Sequence, residues 1–123
     1  MRQRLEPGPD HPITTQIKAT RVRVTVSGVT IIDAASHIEL SEANYTNVAY
    51  LPRAAADMST LVRSDHTSWC PYKGEATYFH IRRRDGSLSE NAIWTYEDPF
   101  PAVASIKDAL GIYPDRVDAS LFD

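Results

Sequence analysis

Residues 21–32 read RVRVTVSGVTII, and this stretch decides the fold class. Valine alternates with arginine or threonine through its first half, which is the period of two expected of a strand buried on one face. Ser27 and Gly28 interrupt the pattern, and the four residues that follow are again mostly β-branched. A Ser-Gly pair between two such runs favours a tight turn, so the stretch predicts a β-hairpin.

Strand patterns recur along the chain beyond this hairpin. They predict strands over residues 37–40, 47–51, 75–83 and 91–96. Asp85-Gly86 is a favoured hairpin turn between the last two. The first strand of that pair carries large apolar side chains on both faces, which predicts a strand covered on two sides. On the second, Trp94 and Tyr96 should share one face, because side chains alternate along a strand.

Two short helices are predicted among these strands. Residues 53–62 are alanine-rich and follow a proline, which suits the first turn of a helix. Residues 102–110 place Val103, Ile106 and Leu110 at spacings of three and four, with a glycine just beyond. This spacing predicts a helix that packs one apolar stripe against a sheet.

The other segments have weaker patterns. Residues 1–20 hold three prolines and predict an extended lead-in, whereas residues 63–74 predict an irregular loop. The end of the chain predicts one or two short strands. The whole length, residues 1–123, suits one hydrophobic core. The sequence therefore predicts a single, mainly β domain of antiparallel sheets with one or two short helices.

Composition and charge exclude several classes of protein. The net charge is −3, without the basic excess typical of nucleic-acid binders. No apolar run is long enough to span a membrane, and the N-terminus lacks the apolar segment of a signal peptide. Cys70 is the one cysteine, which excludes an internal disulfide and a cysteine-rich zinc site. We therefore expect a cytoplasmic protein without a metal or cofactor.

Residues 64–74, SDHTSWCPYKG, hold the densest group of chemically active side chains. Lys73 and His66 are the kind of neighbours that stabilise a thiolate, so Cys70 is a candidate catalytic nucleophile. An isolated cysteine is also typical of a small buried side chain. His66 and Cys70 have the spacing of two metal ligands, but no second pair completes a site.

Aromatic residues concentrate in the second half of the chain and favour a cleft for a small molecule, with basic groups that receive an anion. The candidate ligand-binding residues are Arg53, Cys70, Tyr72, Lys73, Trp94 and Tyr96. The alternative for the two cations is structural: Arg53 would make a surface ion pair, and Lys73 would make a buried one.

Several motifs resemble one bacterial family, known as domain of unknown function 427. They include Gly8-Pro9-Asp10-His11-Pro12, Cys70-Pro71-Tyr72-Lys73-Gly74, Trp94-x-Tyr96-x-Asp98-Pro99 and Tyr113-Pro114-Asp115-Arg116-Val117. They occur in the family's order along nearly the whole chain. The resemblance implies a compact β-tent-like fold of antiparallel sheets packed at a steep angle. The zinc of β-tent proteins is not expected, because the paired cysteines that hold it are missing.

Three functions follow as expectations. The first is a binding module for a small, anionic metabolite in the aromatic and basic cleft. The second is an enzyme that uses Cys70 as its nucleophile. The third is an interaction domain that presents a sheet edge or aromatic face to a protein partner or to a second copy of itself.

Overall fold

The computed structural model describes residues 2–123 and consists mainly of β-strands. The strands β1 to β10 span Ile13–Lys18, Val22–Val26, Val29–Ala34, His37–Glu42, Val48–Tyr50, Leu61–Cys70, Gly74–Arg82, Leu88–Thr95, Leu110–Ile112 and Ala119–Phe122. The hairpin predicted from residues 21–32 is confirmed as β2 and β3, with the turn at Ser27 and Gly28 in positive φ. The short strands predicted at the end of the chain are confirmed as β9 and β10.

The strands form three antiparallel sheets, which confirms the predicted fold class. The first sheet has the order β1-β4-β5, the second β10-β2-β3, and the third β6-β7-β8-β9. The seven strand pairings within residues 2–123 are all antiparallel. The last strand, β10, pairs with β2 and forms one edge of the second sheet, although the two strands are far apart in sequence.

The third sheet is covered on both faces, as the apolar character of residues 75–83 predicts. One face places Phe79, Ile81 and Ile93 in a core with the valines of the second sheet. The other face places Tyr78 and Tyr96 in a core with Leu40 and Tyr50 of the first sheet, and Trp94 packs against this second core. The alternation predicted for Trp94 and Tyr96 against Ile93 is therefore confirmed.

Backbone bonds outside the three sheets join the first sheet to the third. Leu51 follows β5, and Leu110 begins β9; each accepts a hydrogen bond from the other's N–H over 2.8 Å. Both side chains are fully buried. This bridge brings β5 beside β9, and the second sheet packs against the same core, so all three sheets meet near Leu51.

The helix predicted over residues 102–110 is wrong. The segment forms a short 3₁₀ helix, Pro101–Ile106, interrupted at Val103, and Leu110 already belongs to β9. Val103 and Ile106 are buried in the core against the first sheet, while Leu110 is buried in the other core, so they form no single stripe. The chain leaves the helix because Asp108 adopts a positive φ and its N–H bonds the carbonyl of Tyr96.

The helix predicted over residues 53–62 is also wrong. Only two 3₁₀ turns form, Arg53–Ala55 and Met58–Thr60, before β6 begins. Between them Ala56 bridges to Ile32, and the N–H of Asp57 donates to the carbonyl of Ile31. Pairing with β3 keeps the backbone extended at Ala56, between the two turns, so no continuous helix forms despite the alanine content. No helix within residues 2–123 is long and apolar enough to cross a membrane.

Two segments predicted as irregular or extended contain strands. Residues 61–70 form β6, whose pairing with β7 shifts register between Arg63 and Thr67. The shift breaks the alternation by which a strand is recognised. Within the lead-in, β1 pairs with β4 as an edge strand whose middle side chains are exposed, so it has no apolar period.

Candidate functional site

A buried ionic cluster holds Lys73. We call His11, Glu42, Cys70 and Lys73 the Glu42 cluster. The Nζ of Lys73 donates to Oε1 of Glu42 over 2.5 Å and lies 3.7 Å from Sγ of Cys70. The second carboxylate oxygen, Oε2, lies 2.7 Å from Nε2 of His11. The His11 ring stacks on Tyr72 with centroids 4.0 Å apart. One carboxylate therefore joins two nitrogen donors.

Burial makes this ion pair structurally important. The side chains of Lys73 and Glu42 are each only 11% exposed. Burial acts to lower the pKa of Lys73, but its hydrogen bond to Glu42 and the attraction of nearby negative charge together outweigh burial and raise that pKa. Burial acts to raise the pKa of Glu42, but the hydrogen bonds and the charge interactions with Lys73 and His11 together outweigh burial and lower that pKa. Both groups are held in their charged forms, with each other as the main partner.

Three segments of backbone assemble the cluster. Cys70 ends β6, and a turn closed by the bond from the Lys73 N–H to the Cys70 carbonyl leads to Gly74, the first residue of β7. Gly74 adopts a φ of +112°, which glycine accepts without the steric cost of a Cβ. Glu42 ends β4, opposite Ile13 of β1, and this register brings His11 to the same place.

Cys70 lies at the edge of the core rather than in an open cleft. Its side chain is half-buried and packs against the hydrophobic core that contains Tyr50 and Tyr96. Its cationic neighbour, Lys73, is already bound to the Glu42 carboxylate. The structure thus places a thiol beside a charged lysine that is already paired with a carboxylate.

The aromatic candidates on β8 pack inward. Trp94 donates its indole N–H to the hydroxyl of Tyr50 over 3.1 Å, and the two rings meet edge-on. Tyr96 is buried in the same core as Tyr50. Burial raises the pKa of both tyrosines. Trp94 also contacts Tyr113, with ring centroids 4.6 Å apart.

Arg53 lies in a separate ionic group. Its guanidinium donates to the Asp108 carbonyl, to Oε2 of Glu97 and to the hydroxyl of Thr95, over 2.9 to 3.1 Å. Arg63 binds both oxygens of Glu97 over 3.0 Å. These bonds, that from Arg63 first, lower the pKa of Glu97 to about 2. The guanidinium of Arg53 is therefore occupied by three partners within the chain.

The structure does not bring the predicted site residues into one basic cleft. Cys70, Tyr72 and Lys73 belong to or touch the Glu42 cluster, Trp94 and Tyr96 line the adjoining core, and Arg53 binds Glu97 instead. Arg53 and Lys73 each form an ion pair of the kind that the structural alternative describes. Sequence patterns missed Glu42, because it lies 31 residues from each of its partners, His11 and Lys73, and no local spacing links them.

An apolar opening lies where the three sheets meet. We call it the junction cavity; its volume is about 290 Å³. Its walls are Val22 and Val24 of β2, Ser120 and Phe122 of β10, Thr46, Asn47, Val48, Ala49 and Leu51 around β5, Trp94 of β8, Ile112 of β9, and Tyr113 with Pro114. Every sheet contributes to this lining.

The other histidines make structural contacts. His80 accepts a hydrogen bond from the N–H of Asn91 over 2.9 Å at its Nδ1, as expected for a satisfied histidine. His66 packs against the ring of Tyr78. Within residues 2–123, no group of three or more histidine, cysteine, aspartate or glutamate side chains is placed to hold a metal ion.

Comparison with known proteins gives a family and no characterised relative. Residues 14–123 match the model of a family described as a domain of unknown function, DUF427. Curated proteins include no match to the chain. The matched region begins at the second residue of β1 and includes Glu42, Cys70, Lys73 and Trp94. Since the family model spans nearly the full chain, this protein belongs to the DUF427 family.

Proposed function

We propose that this domain binds a small molecule with an apolar body in the junction cavity. The observation that carries the proposal is an open cavity of about 290 Å³ lined by all three sheets. This volume lies near the lower end of the range of roughly 300–1,000 Å³ for ligand pockets. A cavity of roughly 150 Å³ with apolar walls is enough to bind benzene.

The chemistry of the lining favours an apolar ligand over the anionic one expected from the sequence. Val22, Val24 and Leu51 are buried side chains, and Trp94 and Ile112 add further apolar surface. Hydroxyl and amide groups come from only four of the lining residues: Thr46, Asn47, Tyr113 and Ser120. A ligand that binds against such walls is stabilised mainly because its apolar surface is removed from water.

The aromatic wall is held in place before any ligand arrives. Trp94 is fixed by its bond to Tyr50 and by Gly111, whose lack of a side chain leaves room for the indole. A rigid wall lowers the entropic cost of binding, because less side-chain freedom is lost. This arrangement supports a binding role for Trp94, one of the residues selected from the sequence.

Benzyl alcohol, a small neutral aromatic, is a suitable first probe. We expect it to shift the NMR signal of the Trp94 indole N–H, while the indole of Trp69 serves as an internal control because it binds the carbonyl of Gln3 elsewhere. A metabolite screen by thermal shift then extends the test. A ligand at one hundred times its Kd should stabilise the fold by about 2.7 kcal/mol.

A variant that fills the cavity distinguishes binding there from binding elsewhere. Ser120→Leu adds apolar bulk to the lining and should abolish the Trp94 shift. Thr25→Leu is the matched control, since Thr25 lies on β2 beside β10 and is absent from the cavity wall. An unchanged response in Ser120→Leu would place the probe outside the junction cavity and remove the support for this function.

The cytoplasmic location, the use of Cys70 as a nucleophile and self-association stay predictions. Each has its own measurement: fractionation, alkylation of Cys70, and light scattering coupled to size exclusion.

A further inference from the structure

A second cavity adjoins the first. Its volume is also about 290 Å³, and it shares Asn47, Val48, Ala49 and Phe122 with the junction cavity. We call it the polar cavity. Because four residues line both, the two cavities adjoin, and we call the pair of cavities the groove.

The two ends differ in chemistry. The residues found only in the polar cavity are Lys18, Thr20, His37 and Glu39, all of them polar. His37 donates its Nδ1–H to the Thr20 carbonyl over 3.1 Å and meets the Phe122 ring edge-on, so it forms a fixed wall. The groove is therefore apolar at one end and charged at the other, which suits an amphiphilic ligand.

Lys18 and Glu39 are only loosely paired with each other. Their charged atoms are 4.0 Å apart, and the side chains are 36% and 32% exposed. A solvated ion pair at this separation contributes little to stability. The Glu39 carboxylate also accepts from the side-chain amide of Asn47 over 3.3 Å. Both charged side chains are partly exposed and line the polar cavity, which leaves each of them accessible to an additional partner.

The sign of these charges restricts the head group. An anion alone would meet Lys18 with Glu39 close by, and a cation alone would meet Glu39 with Lys18 close by. Like charges at such distances repel, which lowers affinity for either. A head group that carries both charges pairs with both residues, since its ammonium faces the carboxylate and its carboxylate faces the ammonium.

We propose that the groove binds a free apolar α-amino acid, with its side chain in the junction cavity and its ammonium and carboxylate groups at Glu39 and Lys18. This inference rests on the proposed function, because the apolar body occupies the same cavity. It adds the chemical class of the ligand and two residues that determine specificity.

Four probes that share a phenyl ring test the inference on the intact chain. They are L-phenylalanine, 3-phenylpropionate, 2-phenylethylamine and benzyl alcohol, each titrated by calorimetry and by the Trp94 indole signal. We expect L-phenylalanine to bind at least about tenfold more tightly than either singly charged probe, which corresponds to about 1.4 kcal/mol.

Two variants test which residue pairs with each charge of the head group. Lys18→Met should remove the preference for L-phenylalanine over 2-phenylethylamine, and Glu39→Gln should remove its preference over 3-phenylpropionate. Neither should change the affinity for benzyl alcohol. Both side chains are about one-third exposed, and thermal unfolding verifies that the variants fold.

The outcomes separate this inference from the function on which it rests. If benzyl alcohol binds at Trp94 and L-phenylalanine binds no more tightly than the other three probes, the amino-acid inference is overturned and the apolar binding function stands. If no probe moves the Trp94 signal, both are overturned. The wild-type series alone decides between these results, whatever the stability of the variants.

Discussion

Gly111 and Trp94 face each other across the β8–β9 pair, and the indole lies over the bare Cα of the glycine. A Cβ at position 111 would lie 2.8 Å from Cδ2 of Trp94 and closer still to two other ring atoms. The two residues are direct partners in the register of the pair. The absence of a side chain at Gly111 therefore allows the Trp94 indole to occupy its position in the wall of the junction cavity.

Gly111→Ala should displace the Trp94 indole and break its bond to Tyr50. Overpacking of this kind costs about 1–3 kcal/mol. Chemical denaturation measures the loss, and the Trp94 indole NMR signal reports the displacement. Gly8→Ala is the control, because a Cβ there meets no atom within 4 Å. Equal stability of the two variants would show that the indole has room to spare.

Lys73→Met should destabilise the fold, because it leaves the Glu42 carboxylate buried without its main partner. Loss of one member of a buried ion pair costs about 3–5 kcal/mol. Urea denaturation measures the change, and adding Glu42→Gln should recover part of it by removing the stranded charge. A loss below about 1 kcal/mol would contradict a structural role and return Lys73 to the list of ligand contacts.

Glu97 should give the fold a component of stability that is sensitive to acid. Its pKa is lowered from 4.5 to about 2 in the folded chain, so ionised Glu97 stabilises the fold at pH values above 4.5. That contribution is lost as the pH falls from 4.5 towards 2. Glu97→Gln should therefore have a lower midpoint of urea unfolding than the wild type at pH 7. This difference in midpoint should disappear near pH 2.

A matched variant isolates this effect from general acid unfolding. Glu90→Gln removes an exposed carboxylate on the same strand region and should lower the midpoint much less at pH 7. A gap between Glu97→Gln and wild type that stays constant from pH 7 to pH 2 would contradict the role of the Arg53 and Arg63 bonds.

Cys70 should react slowly with iodoacetamide in the folded chain and faster in urea. The side chain is half-buried against the core, and its lysine neighbour is bound to Glu42. Mass spectrometry follows the alkylation. Lys73→Met should speed the native reaction by loosening the packing. A native rate above the unfolded rate, reduced by Lys73→Met, would instead support a nucleophilic role.

Local patterns were sufficient for much of the strand content. The alternation of residues 21–26, the turn at Ser27-Gly28 and the two apolar faces of residues 75–83 each depend on neighbours a few residues apart, and each is confirmed. Backbone geometry explains this: side-chain direction along a strand and the φ values of a turn are properties of short segments. The same reasoning placed Trp94 and Tyr96 on one face.

Local patterns failed where distant pairing decides the backbone. Residues 53–62 form only two short 3₁₀ turns because Ala56, which lies between them, bridges to Ile32, and residues 102–110 leave the helix because the Asp108 N–H donates to the Tyr96 carbonyl. Helix propensity differs by only about 0.7 kcal/mol among ordinary residues, so one or two such bonds override it. The strand β6 was missed because the shift in its register interrupts the alternation of side chains.

The sequence by itself determined the fold class and the family, and it indicated Cys70, Lys73 and Trp94 as candidate site residues. Only the tertiary structure decided which other side chains they contact, because most of these partners are distant in sequence. Glu42 lies 31 residues from Lys73, and the junction cavity draws its walls from every sheet. Ion pairs and cavities depend on which surfaces meet, and long-range packing alone sets that.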